Sequence, residues 1–242
     1  MINIFRKSRP KLSSLIPNGF VDIHSHTLPY LDDGSKTMNQ TKEMVQKMKD
    51  LGFSKIICTP HSYPGLYDNT TDSIKKSFES VKKNLRHDIE LDYASEYFLD
   101  HHVIEKAEKK TLLTIKKNYV LVEMSFIYPP NNLYEILFQL KINDYKIILA
   151  HPERYRFYFN SFKEFHKLKD FGCHFQLNLC SLTGYYGNDV AKFANKLVNE
   201  NLYDFSGSDF HSLREIQEFN KAVKITNLDK LETLLNKNSE FN

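Results

Sequence analysis

Apolar residues follow two rhythms along the chain. Short runs rich in β-branched and aromatic residues recur at FVDIH (20–24), KIICT (55–59), IELDYAS (89–95), YVLVEM (119–124), YKIILA (145–150), CHFQLNL (173–179) and YDFSGS (203–208). Several are nearly continuous, the pattern of parallel strands buried on both faces. TLLTI (111–115) is a candidate extra strand. Between the runs the period lengthens to that of helices. One spans 37–51, opening on Thr37 as a cap and stopping at Gly52. Others lie near 70–86, 100–109, 131–143, 160–171 and 187–201, with one or two more in 212–236. Seven strand-then-helix units in 242 residues predict an α/β fold, a closed or nearly closed seven-stranded (β/α) barrel. A doubly wound open sheet is the runner-up. Residues 20–236 read as one domain, flanked by an extension at 1–19 and a short tail at 237–242.

Charge sharpens this picture in one place. Arg6, Lys7, Arg9 and Lys11 fall in the first 19 residues with no acidic residue among them. The formal net charge is only +3, so the remainder is close to neutral and offers no basic footprint for nucleic acid. No apolar run approaches the roughly 20 residues of a membrane span, and the N-terminus lacks the apolar core of a signal peptide. The expected location is the cytoplasm. Three cysteines, Cys58, Cys173 and Cys180, form no CxxC pair and read as buried reduced thiols. A thiol phosphatase needs an arginine six positions after its cysteine; here those positions hold Pro64, Leu179 and Tyr186, which excludes that chemistry.

The unusual residues sit at the strand ends. The first strand delivers His24 and His26, then Asp32 and Asp33; the second His61; the third Glu96; the fourth Glu123; the fifth His151; the sixth Asn178; the seventh Asp209 and His211. In a (β/α) barrel these ends share one rim, where catalytic groups gather. Alternation along a strand turns His24 and His26 the same way, and Asp209 and His211 likewise. Any one of these residues alone reads as a hydrogen-bonded core residue or a helix cap. Together, carboxylates crowded into one pit would repel each other unless cations lay among them. Imidazole and carboxylate without thiolate suit Mn²⁺, Fe²⁺ or Zn²⁺.

The motifs DIHSH, TPH, AHPERY and SDFH, with isolated Glu96 and Glu123, resemble those of the PHP (polymerase and histidinol phosphatase) metallohydrolases. VDIHSHTLPYLDDGSKT, GFSKIICTPH and AHPERY are similar to the branch of bacterial protein-tyrosine phosphatases from capsule and exopolysaccharide operons, the CpsB/CapC/YwqE type, over roughly residues 20 to 214. The resemblance implies a distorted seven-stranded PHP barrel with three divalent ions, Mn²⁺ first, Fe or Zn as alternatives. It implies His24, His26, Glu123 and Asp209 around one ion. His61, Glu96, Glu123 and His151 surround the others with Glu123 bridging, and Asp33, rather than Asp32, joins His211 at the third. Arg154 matches a phosphate-contacting arginine; Arg214 stands near the place of a second one, with different spacing. Asp209 and His211 are candidate proton donors. Tyr63, Tyr67 and Tyr128 lie on rim loops where they could flank an aromatic substrate. The implied activity is hydrolysis of phosphotyrosine in proteins by a metal-bridging hydroxide, with a membrane-linked bacterial tyrosine kinase as partner. The alternatives are a small-molecule phosphatase of the histidinol-phosphate type and a catalytically silent metal-binding module.

Overall fold

The structure, a computed structural model, describes residues 9–85 and 89–242. Arg6, Lys7 and His87 lie outside the described residues. Among the described residues nine strands are formed: β1 (Phe20–Ser25), β2 (Phe53–Cys58), β3 (His61–Ser62), β4 (Glu90–Tyr93), β5 (Glu96–Phe98), β6 (Tyr119–Glu123), β7 (Lys146–Ala150), β8 (His174–Asn178) and β9 (Phe205–Gly207). Eight α-helices alternate with them: α1 (Met38–Asp50), α2 (Thr71–Asn84), α3 (His101–Glu108), α4 (Leu133–Ile142), α5 (Lys163–Asp170), α6 (Asn188–Asn199), α7 (Leu213–Glu218) and α8 (Leu228–Lys237). Every strand pairing is parallel, in the orders β1-β2-β4 and β3-β5-β6-β7-β8-β9.

The two sheets are arcs of one ring. Two of the seven expected strands are each broken in two: β2 and β3 are separated by Thr59 and Pro60, β4 and β5 by Ala94 and Ser95. Pro60 has no N–H to give a ladder. Backbone bonds nevertheless carry the chains across the gap, from Ala94 N to Cys58 O (2.8 Å) and from Glu96 N to Pro60 O (3.1 Å). At the other junction a parallel bridge joins Ser25 to Phe210, with Asp209 N donating to His24 O (2.8 Å) and His26 N to Phe210 O (2.9 Å). The result is a seven-position (β/α) barrel, distorted at these breaks.

Below this junction, side chains replace the missing ladder between β1 and β9. Asp22 accepts from Ser208 N (2.8 Å) and Ser208 Oγ (2.5 Å). Asn238 donates to both Val21 O (2.8 Å) and Ser206 O (2.6 Å) and accepts from Ser206 N (3.0 Å). The segment expected as a tail is therefore packed: Asn238 and Phe241 are buried, and Phe241 sits edge-on to Tyr119 and Phe205. Leu12, within the expected N-terminal extension, is also buried. Residues 111–115 form no strand. Leu113 N donates to the Tyr97 hydroxyl (2.8 Å) and Ile115 N to Tyr119 O (2.9 Å), while Ile115 joins the inner core. Val21, Ile23, Ile57, Leu121, Ile148 and Phe205 make up most of that inner core; a larger apolar layer lies between strands and helices. Thr37 caps α1 by accepting from Gln40 N, as its sequence predicts. Among the described residues no helix is long and apolar enough to cross a membrane.

Candidate metal centre

The strand ends meet in one pit. His24 Nε2 lies 3.2 Å from His26 Nε2, 3.2 Å from Glu96 Oε2 and 3.2 Å from Asp209 Oδ1. His26 Nε2 lies 3.3 Å from the same Asp209 oxygen and 3.5 Å from the same Glu96 oxygen. His61 Nδ1 is 3.1 Å from Glu96 Oε2 and 2.9 Å from Glu123 Oε1. Asp33 Oδ1 stands 3.5 Å from His61 Nε2 and 3.4 Å from His211 Nε2. His151 Nε2 reaches Glu96 Oε1 at 3.2 Å. Three groups of donor atoms result, each gathered within 4.8 Å: His24, His26, Glu96 and Asp209; His61, Glu96 and Glu123; His26, Asp33, His61 and His211. The carboxylate shared by the first two is Glu96. Glu123 does not join the His24 group, so the bridging place that the resemblance gives Glu123 is taken in this geometry by Glu96.

The tautomers decide what can sit between these atoms. His24 Nδ1 donates to Gln176 Oε1 (2.8 Å), whose own Nε2 is spent on Leu177 O (2.7 Å). His26 Nδ1 donates to Asp32 Oδ2 (2.8 Å). His211 Nδ1 donates to the Asp209 carbonyl (2.9 Å). Each neutral ring thus turns an Nε2 lone pair toward carboxylate oxygens. Facing lone pairs repel unless a proton or a metal ion lies between them. Glu96 is fully buried, and neither of its oxygens has a hydrogen-bond partner, nor do His61 Nδ1 and His151 Nδ1. Donors placed about 2.1 Å from a common ion, at angles of roughly 90–110°, are about 3.0–3.4 Å apart, which is the spacing seen here. The residues fit divalent cations.

Without metal, protons must do the same work. Burial alone would lower the His24 and His61 imidazolium pKa, but Glu96, with Asp209 beside His24 and Glu123 beside His61, overrides it. His24 is pushed up to about 10 and His61 to about 12. Burial alone would raise the Glu96 and Asp209 carboxyls; the surrounding histidines hold both well below the usual carboxylate range.

Positioning comes from several elements. His151 (φ +37°) and Asp209 (φ +53°) both adopt left-handed backbone where β7 and β9 end, a conformation costing a non-glycine residue of order 1–3 kcal/mol. Two glycines permit close approach: a Cβ on Gly34 would lie 2.2 Å from His26 O, and one on Gly207 would lie 2.7 Å from His24 Cβ. Buried Glu153 accepts from Asn178 N (3.0 Å), Ser181 Oγ (2.7 Å) and the Tyr203 hydroxyl (2.9 Å), which anchors the turn carrying His151 and Arg154. Arg154 Nη1 donates to Asp209 Oδ2 (2.9 Å), an oxygen that also accepts from Asn178 Nδ2 (2.7 Å). The guanidinium lies 4.3 Å and 4.2 Å from the ring centroids of Phe126 and Tyr186.

Of the residues singled out in the sequence, His24, His26, Asp33, His61, Glu96, Glu123, His151, Arg154, Asp209 and His211 come together. Arg214 is exposed on α7, with its guanidinium 5.6 Å from the ring of Tyr185. Tyr67 stacks on His61 (5.4 Å, 11°) and Tyr63 on Phe98 (3.9 Å, 10°). Both line a cleft of about 280 Å³ whose floor includes Asp33, His61 and Glu123; Tyr128 is not in its wall. Gln176, Asp32 as the orienter of His26, Phe126 and Tyr186 escaped the sequence reading. Only Gln176 had a signal, a polar residue inside an apolar strand. The three cysteines are buried, with burial pushing the Cys58 and Cys173 thiols up to about 12.

A parallel (β/α) barrel whose mouth gathers imidazoles and carboxylates around unsatisfied buried oxygens defines a barrel metalloenzyme. The family described as capsular polysaccharide synthesis, CpsB/CapC, matches residues 20–239, and the chain belongs to it. The tyrosine-protein phosphatase YwqE of Bacillus subtilis is 30% identical over 198 residues, 80% of this chain and 78% of that protein. The putative tyrosine-protein phosphatase CapC of Staphylococcus aureus is 28% identical, covering 80% and 77%. The tyrosine-protein phosphatase CpsB of Streptococcus pneumoniae is 27% identical, covering 80% and 83%. A chain from the crystal structures of YwqE and CpsB, described as unique metal-dependent tyrosine phosphatases, superposes with a TM-score of 0.78 at 27% identity, over 90% of this chain and 94% of that one.

Proposed function

We propose that this protein is a metal-dependent phosphomonoesterase acting on phosphotyrosine in proteins. The observation that carries the reading is the buried, unsatisfied Glu96 carboxylate at the junction of two donor groups in an open barrel mouth, with an arginine held at its edge. The named activities of the relatives support it. We assign three divalent ions to the centre, Mn²⁺ first, with Fe or Zn as alternatives. One would be held by His24, His26, Glu96 and Asp209. The second would be held by His61, Glu96 and Glu123, with His151 against the far oxygen of Glu96. The third would be held by Asp33 and His211, since the one free lone pair of His26 goes to the first. When bound, such ions supply positive charge against phosphoryl oxygens and bring the pKa of coordinated water down to about 7, so that hydroxide is available at neutral pH.

The chain's own residues do the rest. Asp33, Glu96, Glu123 and Asp209 carry four negative charges, fewer than three divalent ions bring, so a loaded site attracts a phosphate dianion. Arg154 offers the remaining donors of its guanidinium to the phosphoryl oxygens, and Asp209, Phe126 and Tyr186 fix its plane. The leaving phenolate has a conjugate-acid pKa of about 10, so departure demands less proton donation than an alkoxide would. The protein acts in the cytoplasm as a PHP-type domain whose packing takes in Leu12 and the chain up to Phe241, and its partner is a membrane-linked tyrosine kinase; membership of a capsular polysaccharide synthesis family supports that setting. The test compares metal-loaded protein on a phosphotyrosyl peptide and on histidinol phosphate. The proposal expects kcat/KM at least about tenfold higher on the peptide, a discrimination of about 1.4 kcal/mol. The reverse order would make this a small-molecule phosphatase, and no turnover of either would make it a silent module.

A further inference from the structure

We propose that the cleft beside the metal centre receives the phenyl ring of phosphotyrosine, and that Leu66 and Ile127 set the preference for aromatic over alkyl phosphates; this rests on the phosphatase reading above. The cleft opens directly onto Asp33, His61 and Glu123, so a phosphate held at the donors projects its ester group between apolar walls. One wall is the stacked pair Tyr63 and Phe98, continued by Tyr67, whose ring is parallel to that of His61. The other is the loop after β6, Met124 to Ile127. Its tip and the facing Leu66 leave large apolar surface uncovered: Leu66 is 60% exposed and Ile127 79%. Their position at the mouth names the occupant, a flat apolar group bonded to phosphate. A phosphotyrosine places its phosphorus a full ring beyond the peptide backbone and lays that ring along the walls. A phosphoserine has a single methylene, which cannot reach both the donors and the rim.

The test uses metal-loaded protein and two non-hydrolysable probes, phenylphosphonate and methylphosphonate, with affinities read by calorimetry. Burying roughly 55 Å² of ring surface at about 25 cal/mol per Å² corresponds to about tenfold in affinity, so phenylphosphonate should bind about tenfold tighter. In the double variant Leu66→Ser, Ile127→Ser the ratio should fall toward one. Equal binding of both probes by the unaltered protein, or a tenfold ratio that survives in the variant, overturns the proposal. If the ratio behaves as expected but the loaded protein fails to turn over a phosphotyrosyl peptide, the ring cleft stands and the phosphatase reading falls.

Discussion

At the scale of single residues, the centre depends on side chains that never touch a ligand. Gln176 and Asp32 each fix one histidine by accepting from its Nδ1, and so decide which nitrogen faces the pit. Such outer partners typically contribute 10–100-fold in metal affinity. Gln176→Leu should weaken metal binding by about that factor while the fold survives, as read by metal titration against a competing chelator. Unchanged affinity would show that His24 is oriented by other contacts. The proton balance gives a second expectation. Folded His24 and His61 hold their protons up to about 10 and about 12, against about 6.5 in an unfolded chain. Their contribution to the stability of metal-free protein is therefore complete below about pH 6.5 and is lost as pH rises through 10 to 12. Metal loading at pH 7.5 must expel those protons. Calorimetry in two buffers of different ionisation enthalpy should give different apparent heats, and identical heats would show that the histidines were already neutral.

At the scale of elements, the seam between β1 and β9 distinguishes this barrel from a regular one. Helix starts such as Thr37 and the apolar strand runs were legible because they are local patterns. The seam was not, because it is built from polar side chains far apart in the chain: Asp22 meets Ser208 across 186 positions, and Asn238 meets Val21 across 217. Nothing near Asn238 in the sequence announces a partner, so residues 237–242 read as a tail. The short strands beyond Thr59–Pro60 and Ala94–Ser95 were likewise hidden, since His61–Ser62 and Glu96–Phe98 are too short to show an apolar pattern. Asn238→Ala would strand buried backbone groups of Val21 and Ser206. At about 1–3 kcal/mol for a buried group left unpaired, the variant should lose roughly 2–4 kcal/mol in urea unfolding. A loss below about 0.5 kcal/mol would mean that the seam is held by Phe241 and Asp22 alone.

At the scale of the whole molecule, the candidate site was readable because parallel barrels bring strand ends to one rim, so spacing in sequence converts to proximity in space. Pairing among the donors was less readable: Glu96 opens β5 and Glu123 closes the neighbouring β6, and only the folded geometry shows Glu96 meeting His24, His26, His61 and His151 at once. The direction of Arg214, exposed on α7, was equally unreadable, since position along a helix does not reveal where a long side chain points. What the molecule as a whole brings together is a pit of imidazoles and carboxylates, an arginine held on Asp209 at its edge and a cleft beside it, on a scaffold shared with metal-dependent tyrosine phosphatases. The most direct test is turnover of a phosphotyrosyl peptide by metal-free protein as Mn²⁺ is titrated back. The account predicts no turnover at the start, recovery that saturates with bound metal, and recovery reduced by roughly 100-fold in Glu96→Gln. Full turnover by the metal-free protein, or undiminished recovery in that variant, would contradict it.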